Sequence, residues 1–282
     1  MELQPLHYVI RTADRAKTVE FYTKTLRMKI LRHEEFSDPC KAMCNGKTMV
    51  GYGPEKTHFV IEVVYNYGVT KYDLGTYFGA FTIKSHDVYE SARDKSRADG
   101  EFVCRRDCNG YLFCIFNTPK DSYQDPFCKL ALNVKNIKKS VAYYSKFDEA
   151  TVEYASPTSA TFHFPDSDFD LELVELRDQA FLSGSGCGRL AFAVPTDLLL
   201  HYQEKFSSTE GKILNNITSL ETPGKATVEV LILADPDGHE ICIVGREGFM
   251  QLCAMDPKGA ELFNNAIQEE RELRLIAESF GA

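Results

Sequence analysis

A histidine and a glutamate occupy polar positions in two otherwise apolar segments near the N-terminus, and their side chains could form an ionic pair. Strict alternation of side chains along a strand places His7 and Arg11 on one face of the first segment. The same alternation places Glu62 and Asn66 on one face of the second. A carboxylate on an apolar strand face needs a partner, because burying an unpaired charge is costly. We therefore predict that His7 lies beside Glu62.

The elements that must position this pair can be read from the same part of the chain. Residues 6–12 and 58–67 have the alternating pattern of strands. Between them, Asp14 is a candidate helix cap in front of apolar residues at helical spacing, and a strand resumes at Met28. The sequence thus predicts a strand, a helix and then further strands, with His7 in the first strand and Glu62 in a later one.

An internal repeat organises the whole chain. The residues Thr18–Tyr22 align with Ser140–Tyr144, and the same offset aligns the strands in front of them. Each half also carries a second module of similar pattern, which ends in an Asn-Gly or an Asp-Gly turn followed by a strand. We predict four modules, in two domains that span residues 1–119 and 127–246, with a polar linker bounded by Pro119 and Pro126.

The remaining residues, 247–282, predict a helical extension. Asp256 and Pro257 have the residue types of an N-cap and a first helical position, and a charged helical pattern follows them. We expect this extension to pack across the domains, or to bind a protein partner or a second copy of the chain.

Composition excludes several classes of protein. The chain has 282 residues, 44% of them hydrophobic, and a net charge of −9 without a lysine-rich tract. Nucleic-acid and membrane-surface binding both require clustered basic residues, so we expect neither partner, and no apolar run is long enough to span a bilayer. Nine cysteines with no secretion or transit signal predict a reduced cytoplasmic compartment.

Three stretches of the sequence carry a family resemblance: LHYVIRTADRAKTVEFYTKTLRMKILR, FVIEVVYNYGVTKYDLGTYFG and TPGKATVEVLILADPDGHEICIVG. Together they resemble glyoxalase I of the vicinal oxygen chelate superfamily, over about residues 5–260. The resemblance implies an α+β fold of two tandem vicinal oxygen chelate domains, each of two βαβββ modules, in which pairs of modules curl around a cavity. It also implies a location in mitochondria as well as in the cytosol.

The resemblance further implies a reaction and a ligand set. Glyoxalase I is a lyase that isomerises the hemithioacetal of methylglyoxal and glutathione, using a divalent metal to stabilise an enediolate. By residue correspondence, His7 and Glu62 would bind Zn or Ni, and Glu62 would also act as the catalytic base. Arg11 and Asn66 match positions that contact glutathione.

The other half of the ligand set departs from the family pattern. The equivalent positions are Ala80 and Cys114 in the first half of the chain, and Arg189 and Cys242 in the second. Which pair faces the site depends on whether modules pair within a half or across halves, and the sequence leaves this open. Glu240 shares a strand face with Cys242 and is a further candidate base.

The two arrangements have different consequences for a metal. A guanidinium at Arg189, about 4 Å from a divalent ion, would repel it by about 8 kcal/mol at an effective dielectric of 20. Arg189 could instead pair with Glu62. If Cys114 were the neighbour, its thiolate could complete a zinc site with His7 and Glu62.

These departures favour a second interpretation, in which the protein has kept the fold and lost the metal. It would then be a metal-free protein that binds a small molecule or serves as a scaffold. In the third module the equivalent positions are Lys129 and Glu172, which we expect to form an ion pair rather than a second metal site.

Overall fold

A computed structural model describes residues 3–38, 43–96, 100–119, 124–220 and 226–279, and this part of the chain forms fifteen strands and six α-helices. The strands are β1 (Gln4–Thr12), β2 (Lys29–Asp38), β3 (Met43–Gly51), β4 (Val60–Asn66), β5 (Phe78–Lys84), β6 (Phe102–Arg106), β7 (Leu112–Phe116), β8 (Phe127–Val134), β9 (Thr151–Ser156), β10 (Ser159–His163), β11 (Asp170–Glu175), β12 (Arg189–Val194), β13 (Lys212–Leu220), β14 (Val228–Ala234) and β15 (Glu240–Gly245). The helices are α1 (Arg15–Glu20), α2 (His86–Ala92), α3 (Ile137–Tyr144), α4 (Leu199–Ser207), α5 (Arg246–Leu252) and α6 (Gly259–Ser279).

The predicted α+β fold is confirmed. Three modules have the βαβββ order: β1 to β4 with α1, β8 to β11 with α3, and β12 to β15 with α4. The second module, β5-α2-β6-β7, has three strands among the residues that the structure describes. The predicted Asp14 cap is present, since its side chain accepts a hydrogen bond from the Lys17 backbone N–H at 3.0 Å. Residues 120–123 of the predicted linker lie outside the described residues.

The modules pair across the two halves of the sequence. One sheet has eight strands in the order β13-β14-β15-β12-β1-β4-β3-β2, which combines the first and fourth modules. The other has seven strands in the order β6-β7-β5-β8-β11-β10-β9, which combines the second and third. Val9 at the centre of β1 is paired with Glu62 on β4 and with Arg189 on β12. The choice that the sequence left open is therefore settled in favour of Arg189 as the neighbour of β1.

The main hydrophobic core lies between the two sheets. Tyr8 and Ile10 of β1 are buried in it, and the Tyr8 ring packs against the Phe81 ring of the seven-stranded sheet with centroids 5.8 Å apart. Because side chains alternate along a strand, this burial turns His7 and Val9 to the opposite face of the eight-stranded sheet. A cavity lies on that face.

Two tight turns support the strands that close the modules. Gly110 and Gly238, the glycines of the predicted Asn-Gly and Asp-Gly turns, have φ values of +98° and +97°. Only glycine adopts this backbone region without strain, so these dipeptides fix where β7 and β15 begin.

The C-terminal helix α6 packs against β2 at one edge of the eight-stranded sheet. It begins at Gly259 rather than at the predicted Pro257, because Asp256 first closes a turn: its carbonyl accepts from the Gly259 N–H at 2.9 Å and its side chain from the Lys258 N–H at 2.8 Å. No helix in the described part of the chain is long and apolar enough to cross a bilayer. Residues 280–282 of the predicted extension lie outside the described residues.

Candidate functional site

A cavity of about 330 Å³ lies on the face of the eight-stranded sheet that points away from the core. Its size is within the range of sites that bind small molecules. Its two sides differ in chemistry. Strands β1 to β4 supply charged side chains, and the fourth module with α5 supplies mainly apolar ones. The charged side contains His7, Arg32, Glu34, Lys47 and Glu62, and the apolar side contains Leu220, Val228, Val230, Ile232, Val244, Phe249 and Leu252.

His7 and Glu62 face each other in this cavity. The His7 Nε2 atom lies 3.7 Å from Glu62 Oε2, and both side chains are largely buried. The other carboxylate oxygen, Oε1, lies 3.3 Å from the Lys47 ammonium group. The pairing of imidazole and carboxylate that the strand patterns predict is therefore present, with an additional cation on the carboxylate.

A second glutamate holds the imidazole from behind. Glu55, in the loop between β3 and β4, lies with its Oε1 atom 2.5 Å from His7 Nδ1, and its Oε2 atom accepts a hydrogen bond from Arg32 Nη1 at 2.7 Å. An ionised carboxylate only accepts hydrogen bonds, so Nδ1 carries the ring proton. The Nε2 atom then faces Glu62 and the cavity.

Both carboxylates are held in the ionised form. Burial raises the pKa of Glu55, but the charge and hydrogen bond of His7 and those of Arg32 outweigh it, so the pKa lies below its usual value. Burial likewise raises the pKa of Glu62. The positive charge of Lys47 lowers this pKa, His7 and Arg32 lower it by smaller amounts, and together they outweigh burial, so the pKa of Glu62 also lies below its usual value. Glu62 is therefore a charged but weakly basic group near neutral pH.

Arg189 lines the same cavity but pairs with Glu240 instead of Glu62. Its Nε and Nη2 atoms donate to Glu240 Oε2 at 2.8 and 2.6 Å. These two residues are direct neighbours on the parallel strands β12 and β15, so the ion pair forms within the fourth module. Both side chains are more than one-third exposed. The Glu240 carboxylate is thus occupied by a guanidinium.

The two cysteines proposed from the family pattern lie in different places. Cys242 lines the cavity, and burial above all raises the pKa of its thiol to about 12. Cys114 lies on β7 in the other sheet, with its sulfur 3.0 Å from that of Cys104. The structure therefore brings Cys242, and not Cys114, to the cavity of His7.

The two candidate contacts for glutathione lie beyond the residues that line the cavity. Arg11 is on the same face of β1 as His7, and its backbone N–H donates to the Tyr111 hydroxyl at 3.2 Å. The Asn66 side-chain amide, at the end of β4, donates to the Tyr72 hydroxyl at 2.6 Å. Both residues are placed further along the strands that carry His7 and Glu62.

The donor set does not fit a resident divalent ion. Among the described residues, no three His, Cys, Asp or Glu side chains converge on a point where an ion could sit. Of the two that face each other, Glu62 already has a cation at 3.3 Å. The two remaining positions of the family's ligand set hold a guanidinium and a thiol with a raised pKa. A structural or catalytic zinc needs three or four donors.

Sequence reasoning did not find four charged residues at the site. Arg32 and Glu34 lie on β2 and Lys47 lies on β3, and the alternation of those strands, had it been followed, places them on the cavity side. Glu55 follows Gly53 and Pro54 in a loop. A loop has no period that indicates which side chain points inward, so nothing in the local pattern could identify this residue.

The sequence and the fold have known relatives. The profile of the glyoxalase/bleomycin resistance protein/dioxygenase superfamily matches residues 4–127, and that of the glyoxalase domain-containing protein 4-like C-terminal domain matches residues 136–252. The crystal structure of glyoxalase I from Zea mays superposes with a TM-score of 0.73 at 25% sequence identity. That match covers 89% of this chain and 95% of the maize chain.

Two curated relatives match nearly from end to end. "Glyoxalase 1" of Caenorhabditis elegans is 38% identical over 279 residues, which covers 96% of this chain and 98% of the relative. "Glyoxalase domain-containing protein 4" of Mus musculus is 39% identical over 280 residues, which covers 94% of this chain and 93% of the relative. The chain therefore belongs to the glyoxalase domain-containing protein 4 family of the glyoxalase/bleomycin resistance protein/dioxygenase superfamily.

Proposed function

We propose that the cavity performs glyoxalase-like proton transfer on the hemithioacetal of methylglyoxal and glutathione, which would make this protein a lyase of methylglyoxal detoxification. The observation that carries the proposal is the approach of His7 Nε2 and Glu62 Oε2 to 3.7 Å inside one cavity. Relatives and a superposable structure that bear the name glyoxalase support it. The reaction moves a proton between adjacent carbons, which requires a base and a means of stabilising negative charge.

The residues of the cavity can supply both requirements. Glu62 is the proposed base, and His7, fixed by Glu55, can exchange a proton through Nε2 with a substrate oxygen. Lys47 places a positive charge beside Glu62, where an enediolate oxygen would form. In the family, zinc or nickel supplies this positive charge, but the donor set found here does not fit such an ion. We therefore propose a reaction that needs no metal.

We assign the glutathione portion to the outer part of the same strands. Arg11 and Asn66 lie on the cavity faces of β1 and β4, beyond His7 and Glu62. In that position they could bind the carboxylate and amide groups of the peptide.

The test is turnover of the preformed hemithioacetal by chelator-treated protein of known metal content. We expect thioester product to form, and Glu62→Gln and His7→Ala to lower kcat by about 100-fold or more. The matched control is Glu172→Gln, which removes the carboxylate at the repeat-related position, 2.7 Å from Lys129 in the other sheet. It should keep full activity. Wild-type protein without activity, or activity that survives both site substitutions, would exclude the proposed reaction.

A second candidate function is binding of the same class of molecule without turnover. It is favoured by the cation at 3.3 Å from Glu62, which keeps the pKa of that carboxyl low and makes it a weak base. Calorimetry with an S-substituted glutathione separates the two functions. Binding that is lost in Arg11→Ala, in a protein that does not turn over the hemithioacetal, would establish the second candidate.

A further inference from the structure

Two cysteines face each other on the seven-stranded sheet, far from the residues that line the cavity. Cys104 on β6 and Cys114 on β7 are direct partners in the antiparallel register. Their sulfur atoms lie 3.0 Å apart, and the Cys104 side chain is exposed. β6 is an edge strand of its sheet, so one side of this pair is open to solvent.

The backbone hydrogen bonds show which kind of cross-strand pair this is. At one end of the hairpin the Asn117 N–H donates to the Glu101 carbonyl, and at the other the Asp107 N–H donates to the Tyr111 carbonyl. Hydrogen-bonded and non-hydrogen-bonded pairs alternate along an antiparallel ladder. Glu101 with Asn117 and Asp107 with Tyr111 are hydrogen-bonded pairs. Alternating along the strand register from either of them makes Cys104 and Cys114 a non-hydrogen-bonded pair.

This class of pair suits a disulfide. Residues in non-hydrogen-bonded positions have Cα atoms about 4.5 Å apart and side chains that converge. This distance lies within the range of about 4.4–6.8 Å between Cα atoms that a disulfide requires. The two strands therefore already hold the cysteines at bonding range. Bond formation needs only rotation of the two side chains.

We propose that Cys104 and Cys114 form a reversible disulfide when the protein meets a hydroperoxide, which makes this hairpin a thiol oxidation site. In the first step the Cys104 sulfur attacks the peroxide, giving a sulfenic acid and one water or alcohol. In the second, the Cys114 sulfur displaces hydroxide from the Cys104 sulfur, and the Cys114 thiol proton leaves with it as water. Two thiols are oxidised by two electrons, and one hydroperoxide is reduced.

The surroundings assign the order of these steps. Burial above all, and then the contact with Cys104, raise the pKa of the Cys114 thiol to about 12, so Cys114 is a poor first nucleophile. Cys104 is the more exposed of the two and meets the oxidant first. A sulfenic acid at Cys104 then has a thiol within contact distance, which favours a disulfide over further oxidation.

Peptide mapping of the folded full-length protein tests this inference. The protein is treated with one equivalent of hydrogen peroxide, alkylated with N-ethylmaleimide and digested with trypsin. Arg105 and Arg106 lie between the two cysteines, so trypsin separates them. We expect peptides 98–105 and 107–120 to be joined by a disulfide, with Cys108 alkylated, and the link to disappear on reduction with dithiothreitol.

Single substitutions give the controls. Cys104→Ser and Cys114→Ser should each lose the linked peptide, and Cys114→Ser should retain a sulfenic acid at Cys104 that dimedone traps. Cys108→Ser should form the link to the same extent as the wild type, because the Cys108 thiol contacts the Thr18 hydroxyl instead of another thiol. Wild-type protein in which Cys104 and Cys114 are both alkylated, or in which Cys104 is over-oxidised beside an alkylated Cys114, would overturn the proposal.

Discussion

Glu55 links the charged side of the cavity into one network, although it does not itself reach the open space. It is 1% exposed, and its two oxygens contact His7 and Arg32. Removing one member of a buried ionic network leaves the other charges buried without a partner. The resulting loss in the free energy of unfolding is larger than the net contribution of an intact ion pair. The position of His7 opposite Glu62 therefore depends on a residue from a loop.

Glu55→Gln should lower the free energy of unfolding by about 3 kcal/mol at neutral pH, because it leaves Arg32 without its carboxylate. Denaturant unfolding measures this. Glu20→Gln, which removes the exposed partner of Lys24, should stay close to wild type. A loss no larger than that of the control would contradict the assigned role of Glu55.

The same substitution should change the dependence of stability on pH. The pKa of Glu55 is lowered in the folded protein, so its contribution is present above about pH 4.3, the ordinary value for the unfolded chain. It is lost as the pH falls through the lower, folded value. The difference between wild type and Glu55→Gln should therefore shrink in acid, and unfolding curves between about pH 3 and 7 would show whether it does.

Lys47→Met should raise the pKa of Glu62, because it removes the cation that contributes most to lowering it. Carbon-13 NMR of the glutamate carboxyl groups can follow this titration, with the Glu62 signal assigned from its absence in Glu62→Gln. Lys47→Arg keeps the charge and should leave the pKa low. A Glu62 pKa that is unchanged in Lys47→Met would show that Lys47 does not control this carboxylate.

At the scale of single residues, the sequence predicted the pairing of His7 with Glu62 but not the network around it. Alternation within a strand is a strong local signal, and it placed both residues on cavity faces. The sequence did not predict the partner of Arg189. Arg189 and Glu240 are neighbours on β12 and β15 of one module, so this carboxylate lies closer to the guanidinium than Glu62 does, whichever modules pair.

At the scale of elements, the C-terminal helix is fastened by a buried arginine from the first module. The Arg15 side chain is 2% exposed and forms an ion pair with Glu270 of α6 at 3.0 Å. It also donates to the Ala266 carbonyl and to the Tyr67 hydroxyl, both at 2.9 Å. A guanidinium this deeply buried needs all of its partners.

Glu270→Gln should loosen α6 from β2, at a cost of about 2 kcal/mol for hydrogen bonds to a charged group. Hydrogen exchange of the backbone amides in residues 259–279 should become faster, while exchange in β4 stays slow. Glu269→Gln makes the same chemical change one residue away on the exposed side and should leave exchange unaltered. Equal exchange in the two variants would show that the Arg15 contact does not hold the helix.

The sequence predicted the existence of α6 better than its first residue or its contacts. A charged segment behind Asp256 and Pro257 is typical of a helix start, but the Asp256 side chain bonds within a turn and delays the helix to Gly259. Packing against β2 depends on Arg15, more than 250 residues away in the chain, and no local pattern reports such a contact.

At the scale of the whole molecule, the two halves of the sequence share both sheets. β1 of the first half pairs with β12 of the second, and β5 of the first half pairs with β8 of the second. The repeat predicted the number of modules but not their partners, because equivalent strands can pair within or across halves with the same local pattern. The division of the chain into domains at residues 1–119 and 127–246 stays a prediction.

Cutting the chain between the halves should leave one folded particle. We expect that a protease site inserted within the linker 119–126 can be cleaved without separating the fragments, because each half contributes strands to the other's sheets. Size-exclusion chromatography of the cleaved protein should show both fragments in one peak, and in separate peaks only in denaturant. Separation under native conditions would mean that the shared sheets do not hold the halves together.

The placement of β1 between β4 and β12 also affects how a newly made chain reaches its folded form. Val9 leaves the ribosome early, but its partner Arg189 is made only after most of the chain. At usual elongation rates this interval is on the order of 10 s or more. Until then one edge of β1 is unpaired, and an unpaired edge invites association with other nascent chains. We therefore expect the newly synthesised first half to depend on chaperones until the second half arrives to cover it.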